Sequence, residues 1–169
     1  MDKNSLRKYA KETRKILFSN KANSIAIRSI QASEIYKNSK NILFFYPLKY
    51  EFNFLKLLDD KKSFFLPKAC DKQLLICPYK KGDELEKSKF NICEPCTNPI
   101  SPEKIELAIV PALMADKNRY RLGYGGGFYD RFLSKYPNIK TITVVFKELL
   151  IENLPHDDFD IKITTIITI

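Results

Sequence analysis

The chain has 169 residues, 44% of them hydrophobic and 29% charged, with a formal net charge of +9. That length suits one domain with a core large enough to need no staples, and the balance excludes a disordered chain. The longest apolar runs are short and broken by Pro or Lys, which argues against a membrane-spanning helix. The N-terminal stretch MDKNSLRKYAKETRK lacks the apolar core of a secretory leader, so a cytoplasmic setting is expected.

In chain order, Leu6, Tyr9, Ala10, Thr13 and Leu17 recur at helical spacing and predict a helix over 2–18. Ile25, Ser29, Ala32 and Tyr36 predict a second over 22–37, with the break near Ser19-Asn20. The β-rich run 41–46, closed by Pro47, reads as a buried strand, and 52–58 as a short apolar helix. Residues 64–66, ended by Pro67, and 74–76, ended by Pro78, are two further strands. Residues 80–91 are polar and read as loop or exposed edge. A strong strand follows over 105–110, ended by Pro111. Then come a helix over 127–136, a strand over 141–146 and a last β-branched run over 161–169. Strands alternate with helical segments and mostly lack polar alternation. The expected fold class is therefore a single-domain α/β protein with a largely parallel or mixed central sheet and helices on both faces. The stretch 111–127 has no apolar periodicity. It is expected to be a long loop after a central strand, the place where open α/β sheets bind ligands.

Few residue types here suit covalent chemistry. His156 is the only histidine, so a histidine cluster for metal is impossible, and no G-x-S-x-G elbow accompanies it. Cys70, Cys77, Cys93 and Cys96 are expected to be free thiols; Cys93 and Cys96 have CxxC spacing but no second pair to complete a zinc site. The lysines are scattered rather than gathered with aromatics into a stripe, which favours a small anionic ligand over nucleic acid.

The informative segment runs Arg119-Tyr120-Arg121-Leu122-Gly123-Tyr124-Gly125-Gly126-Gly127 into Phe128-Tyr129-Asp130. Glycines allow tight turning and close backbone approach, and the helix expected from Phe128 onward turns its N–H groups into the same concavity. That combination binds phosphate. Arg121 adds a planar donor fork, and Asp130 is near enough in sequence to hold a divalent cation against that phosphate. The loop is neither a dinucleotide fingerprint on a first βα turn nor a Walker A loop, for no G-K-[ST] follows.

The run VPALMADKNRYRLGYGGGFYDRFL, 110–133, resembles the signature of the 5-formyltetrahydrofolate cyclo-ligase family, also called 5,10-methenyltetrahydrofolate synthetases. The resemblance extends over nearly the whole chain. Lys3-Asn-Ser-Leu-Arg7 is similar to the family's N-terminal basic helix, 46–52 to its folate-side segment, and Phe65-Leu-Pro-Lys68 and Glu94-Pro95 to two further landmarks. Leu154-Pro-His-Asp-Asp-Phe-Asp160 is similar to its C-terminal acidic turn. The resemblance implies ATP-dependent closure of 5-formyltetrahydrofolate to the 5,10-methenyl compound, with ATP and Mg²⁺ as cofactors. It implies ATP contacts from Lys3, Arg7, Arg121, Leu122, Gly123, Tyr124, Gly125, Gly126, Gly127 and Tyr129. Folate contacts fall to Glu51, Phe128 and Tyr129, and Mg²⁺ ligands to Asp130 and Asp160. Arg121 and Asp130 are then the catalytic pair, and Glu94 is structural or supporting.

The implied partner is a small reduced formyl folate, polyglutamylated or not, with no nucleic acid and no membrane; a monomer is expected. Four positions depart from the family pattern. Tyr124 stands where Arg is usual, leaving Lys117, Arg119 and Lys68 as nearby replacement cations. Phe128 stands where an aromatic hydroxyl is usual, Phe54 where Thr is usual, and Arg119 where Gly is common. A sugar-phosphate isomerase would want a similar loop without ATP. A basic nucleic-acid module would show salt-dependent retention on DNA.

Overall fold

The computed structural model describes all residues, 1–169. Four helices, α1 (Lys3–Leu17), α2 (Asn20–Ala32), α3 (Glu34–Lys37) and α4 (Phe128–Lys135), surround a six-stranded sheet. The sheet strands in chain order are β1 (Asn41–Leu43), β2 (Ser63–Cys70), β3 (Gln73–Pro78), β6 (Leu107–Ile109), β9 (Lys140–Val145) and β11 (Thr165–Thr168). Two hairpins stand beside it. One pairs β4 (Leu85–Lys87) with β5 (Cys93–Pro95). The other pairs β7 (Met114–Asp116) with β8 (Arg121–Leu122), and β10 (Leu150–Ile151) adds to β7 in parallel.

The sheet order is β11-β9-β6-β1-β2-β3, parallel except for the antiparallel edge strand β3. Alternation along the strands divides the core. Ile42, Phe64, Leu107, Ile109 and Ile142 face α1, α2 and α3 with Leu6, Ala10, Ala26, Ile30 and Tyr36. Leu43, Phe65, Ala108 and Val110 face α4 through Phe132 and Leu133. Both faces are thus covered, which is why the strands show continuous apolar runs. After β1 the chain moves to β2 on one side, and β6 returns on the other. The carboxyl ends of β1 and β6 therefore flank a topological switch point, where a crevice forms.

Several local expectations need correction. The second helix does not run through to residue 37. Ser33 is extended, and its hydroxyl donates to the Ile30 carbonyl, ending α2 before α3 begins. The buried stripes are also displaced: Arg14, not Tyr9, joins Leu6 and Ala10 on the inner side of α1, and Ala26, Ile27 and Ile30 form that of α2. Residues 52–58 give a 3₁₀ turn, Leu55–Asp59, rather than an α-helix.

Pro67 does not end its strand. Leu43 pairs with Phe65, after which β1 stops, and Phe65 turns its carbonyl to the β1 side, accepting from Phe44 N–H. Pro67 shares that orientation, so the donor it lacks has no partner strand to serve. Two residues on, Ala69 N–H donates to the Glu94 carboxylate instead. Finally, 111–127 is not a bare loop, since β7 and β8 lie within it. Their turn places Arg119 at φ +72°, which explains why glycine suits that position. Buried Asp116 accepts from Tyr120 N–H and Leu154 N–H, tying the turn to the C-terminal segment.

Candidate active site

A cleft of about 640 Å³ opens at the switch point. Phe45, Tyr46, Leu48 and Glu51 come to it from the chain leaving β1, and Pro111 from the chain leaving β6. The glycine loop and the first turn of α4 form its floor. Every residue assigned above to ATP, folate or Mg²⁺ lines this one cleft: Lys3, Arg7, Glu51, Arg121, Leu122, Gly123, Tyr124, Gly125, Gly126, Gly127, Phe128, Tyr129, Asp130 and Asp160.

The loop is shaped by its glycines and clasped by arginines. Gly125 sits at φ +105° and Gly127 at +67°. A Cβ on Gly125 would lie 3.3 Å from the Arg7 guanidinium carbon, and one on Gly126 would lie 2.8 Å from the Phe128 ring. Arg7 Nε donates to Gly123 O at 2.9 Å, which fastens α1 to the start of the loop. Arg131 fastens the end: its guanidinium donates to Gly126 O at 2.9 Å and to Lys72 O at 2.8 Å, and lies over Phe128. Gly127 caps α4 without any side-chain hydrogen bond, so the helix start is left for a ligand from the cleft.

Arg121 lies beneath the loop with only 5% of its side chain exposed. Its contacts to Asp130 Oδ2 at 3.4 Å and Pro111 O at 3.5 Å are long, and Nε is buried with no partner. Burial pushes this guanidinium's pKa below its ordinary value, with the Asp130 carboxylate opposing. A buried cation with an unmet donor attracts an anion strongly. Tyr129 lies against the same guanidinium, 5.6 Å from ring centre to Cζ. Burial pushes its phenol well above the usual range, so it stays protonated.

Glu51, in the turn after β1, is 4% exposed. Its Oε2 accepts from Leu48 N–H at 2.7 Å and its Oε1 from the Tyr124 hydroxyl at 2.6 Å. Phe128, set edge-on to Phe90, gives the cleft an apolar surface. Phe54 is not part of the cleft; it is buried between Phe45 and Phe52. Nor do the three cations named above replace the missing arginine at 124, since none lines the cleft. Lys68 pairs with Glu86 at 2.6 Å and Lys117 with Glu152 at 2.6 Å. The guanidinium that does reach Tyr124 is Arg14, from two turns beyond Arg7 on α1, at 2.9 Å. Its signal was the 7-residue spacing of the two arginines, masked by reading Tyr9 as the inward residue.

The acidic side of the cleft holds Asp130, Asp157 and Asp160. Asp130 Oδ1 accepts from Ile161 N–H at 3.1 Å, so this carboxylate links α4 to the C-terminal segment rather than capping its own helix. Asp160 Oδ2 accepts from Lys3 Nζ at 2.6 Å and from Asp157 N–H at 2.8 Å. Burial acts to raise the Asp160 carboxyl, but these hydrogen bonds and the Lys3 and Arg121 charges outweigh it and hold it below the ordinary range. No group of three or more His, Cys, Asp and Glu side chains gathers into a cage. Asp130, against Arg121, and Asp160 line the same cleft, and Mg²⁺ is commonly held by one or two such carboxylates with phosphate oxygens and water.

The model of the 5-formyltetrahydrofolate cyclo-ligase family matches residues 2–169. The chain belongs to this family. Members of the cyclo-ligase family from Escherichia coli strain K12 and Haemophilus influenzae, each called 5-formyltetrahydrofolate cyclo-ligase, are similar to it. The first is 33% identical over 56% of this chain and 55% of its own length, the second 27% identical over 78% and 76%. The matched stretch thus spans about half the length of the Escherichia coli relative. Among solved structures, the 5,10-methenyltetrahydrofolate synthetase of Aquifex aeolicus superposes with a TM-score of 0.82 at 28% identity, over 99% of this chain and 90% of the other. The synthetase from Mycoplasma pneumoniae shares the fold, with a TM-score of 0.75 at 23% identity over 99% and 98%. Residues the sequence reading did not bring to the site include Phe90, Ile92 and Phe159, which no periodicity singles out.

Proposed function

We propose that this chain converts 5-formyltetrahydrofolate and ATP to 5,10-methenyltetrahydrofolate, ADP and phosphate, as a cytoplasmic monomer acting on reduced folates. The observation that carries the reading is Arg121. A buried guanidinium with an unmet Nε lies beside Asp130 at the glycine loop, in the cleft that also holds Asp160 and Glu51. That arrangement suits a phosphoryl group passing between two aligned substrates.

The formyl oxygen is a poor leaving group. Transfer of the γ-phosphoryl group from ATP to this oxygen releases ADP and gives an imidate-like phosphate. N10 of the folate then attacks the activated carbon; the carbon–oxygen bond breaks, phosphate departs, and N10 loses its proton. The chain need only align the substrates and offset phosphate charge. Arg121 and the backbone of 123–127 hold the transferring group, with Lys3 and Arg7 on the remaining phosphates. Glu51 orients the pterin side, and Phe128 and Tyr129 flank it. Asp130 and Asp160 would hold Mg²⁺, which supplies charge neutralisation on the phosphates when bound.

The test is appearance of the methenyl chromophore from 5-formyltetrahydrofolate with and without ATP and Mg²⁺. Product formation dependent on both is expected. Folded protein that forms none under any nucleotide and cation would overturn the proposal.

A further inference from the structure

Tyr124 belongs to the glycine loop, yet its hydroxyl leaves the phosphate side. The ring is 40% exposed at the cleft edge while the oxygen is turned inward, donating to Glu51 Oε1 at 2.6 Å and accepting from Arg14 Nη1 at 2.9 Å. Arg14, 6% exposed, also donates to Tyr50 O at 3.0 Å; Tyr50 precedes Glu51 and sits at φ +64°. One phenol therefore joins α1, the strained turn that presents Glu51, and the loop expected to order around phosphate.

We infer that Tyr124 is a positioning residue for substrate: with Arg14 behind it, it fixes the Glu51 carboxylate in the orientation that receives the folate. The inference rests on the function proposed above. Three observations support it. Glu51 has two hydrogen bonds, and the other comes from its own turn through Leu48 N–H, so Tyr124 is its one side-chain partner outside the segment. The Tyr124 hydroxyl is a dependable donor, because burial and the adjacent carboxylate push its pKa well above the ordinary phenol range. The Arg14 guanidinium directs the phenol's lone pair to itself, leaving the O–H free to point only at Glu51. An arginine side chain at 124 would bring a second guanidinium against Arg14, so the tyrosine and the buried Arg14 suit one another.

The role separates from a structural one by what it moves. Tyr124→Phe keeps the ring, its contact with Lys11 and the loop backbone, and removes only the hydroxyl. Glu51→Gln keeps shape and removes the charge. Equilibrium titration with 5-formyltetrahydrofolate, and separately with ATP, is carried out on the wild type, both single variants and the double variant. Tyr124→Phe is expected to weaken folate binding about three- to tenfold, the loss of one hydrogen bond acting through a second group, with ATP binding within about twofold of wild type. In the Glu51→Gln background, removing the hydroxyl should add nothing further, because the group it positions has changed. Equal weakening of both ligands, additive losses in the double variant, or unchanged folate binding in Tyr124→Phe would each overturn the assignment. Binding needs no turnover, so a wild type that binds folate without cyclising it sinks the proposed activity while these ratios still decide the role of Tyr124. A wild type that binds no folate overturns both.

Discussion

Lys3, in the first turn of α1, and Asp160, 157 residues later in the turn before β11, meet at 2.6 Å, and the same ammonium reaches Asp157 at 2.6 Å. The two ends of the chain are thus joined across one wall of the cleft. Lys3→Met should lower the melting temperature only slightly, about 1–4 °C for a pair worth about 0.5–1 kcal/mol at a partly exposed site. If Lys3 also meets ATP phosphates, the KM for ATP should rise about three- to tenfold. A melt without ligands beside steady-state kinetics in ATP separates strut from ligand: an unchanged KM for ATP would leave Lys3 a strut alone.

Gly125 combines a left-handed backbone with a close approach to Arg7. At φ +105° any L-residue is strained, and its Cβ would press on the Arg7 guanidinium that holds Gly123 O. Gly125→Ala should cost about 1–3 kcal/mol of stability or release the loop from Arg7. In either case ATP affinity should fall, and a shift carried into neighbouring Tyr124 should weaken folate binding through Glu51 as well. Paired titrations read this directly, and a variant with wild-type ATP affinity would refute the tight-loop account.

The parts of this molecule legible in its sequence are those set by local chemistry. The helix starting at Phe128 after Gly127, the strand before Pro111 and the α/β class follow from periodicity and turn residues, whereas β1 stops at Leu43, short of Pro47. What was hidden depends on pairing across the chain. Pro67 reads as a strand end until β1 is seen to stop opposite Phe65. The strands β7, β8 and β10 are too short for any periodicity, and exist because Met114–Asp116 meets partners on both sides. Arg14 falls outside the predicted apolar stripe of the first helix, and Tyr124 reads only as a departure where Arg is usual. Only the fold, by bringing Tyr50 and Glu51 beside them, gives the two a common purpose.

Glu106 gives a pH test away from the cleft. Its Oε2 accepts from Asn41 N–H at 2.8 Å and Lys40 N–H at 2.7 Å, at the start of β1. These backbone hydrogen bonds, Asn41 first, hold its carboxyl below the ordinary range. A carboxyl depressed in the folded state contributes stability above its unfolded pKa, about 4.3, and loses it as pH falls through the lower folded value. Glu106→Gln should therefore melt about 1–4 °C below wild type at pH 7, a contribution of about 0.5–1 kcal/mol after solvent screening. The two curves should converge as pH drops below about 4. A gap that stays constant from pH 7 to pH 3 would show that the charge is not what Glu106 contributes.

Asp130 carries the sharpest forecast. It lies in the first turn of α4, where the helix dipole favours a carboxylate, and this alone could account for an acid there. Its contacts say more: Oδ1 holds Ile161 N–H, and Oδ2 faces buried Arg121 across 3.4 Å without a strong bond. That second oxygen is the one left to serve a cation near phosphate. Asp130→Asn keeps an acceptor for Ile161 N–H and removes the charge. The melting temperature should stay within a few degrees of wild type. Turnover should fall about tenfold to a thousandfold, the range for losing one transition-state charge contact of about 1.4–4 kcal/mol, and the Mg²⁺ concentration for half-maximal rate should rise. Turnover measured against Mg²⁺, alongside a ligand-free melt, tells the two roles apart. A variant that melts early yet turns over normally at ordinary Mg²⁺ would make Asp130 a strut between α4 and the C-terminal segment, and the cation would need another ligand.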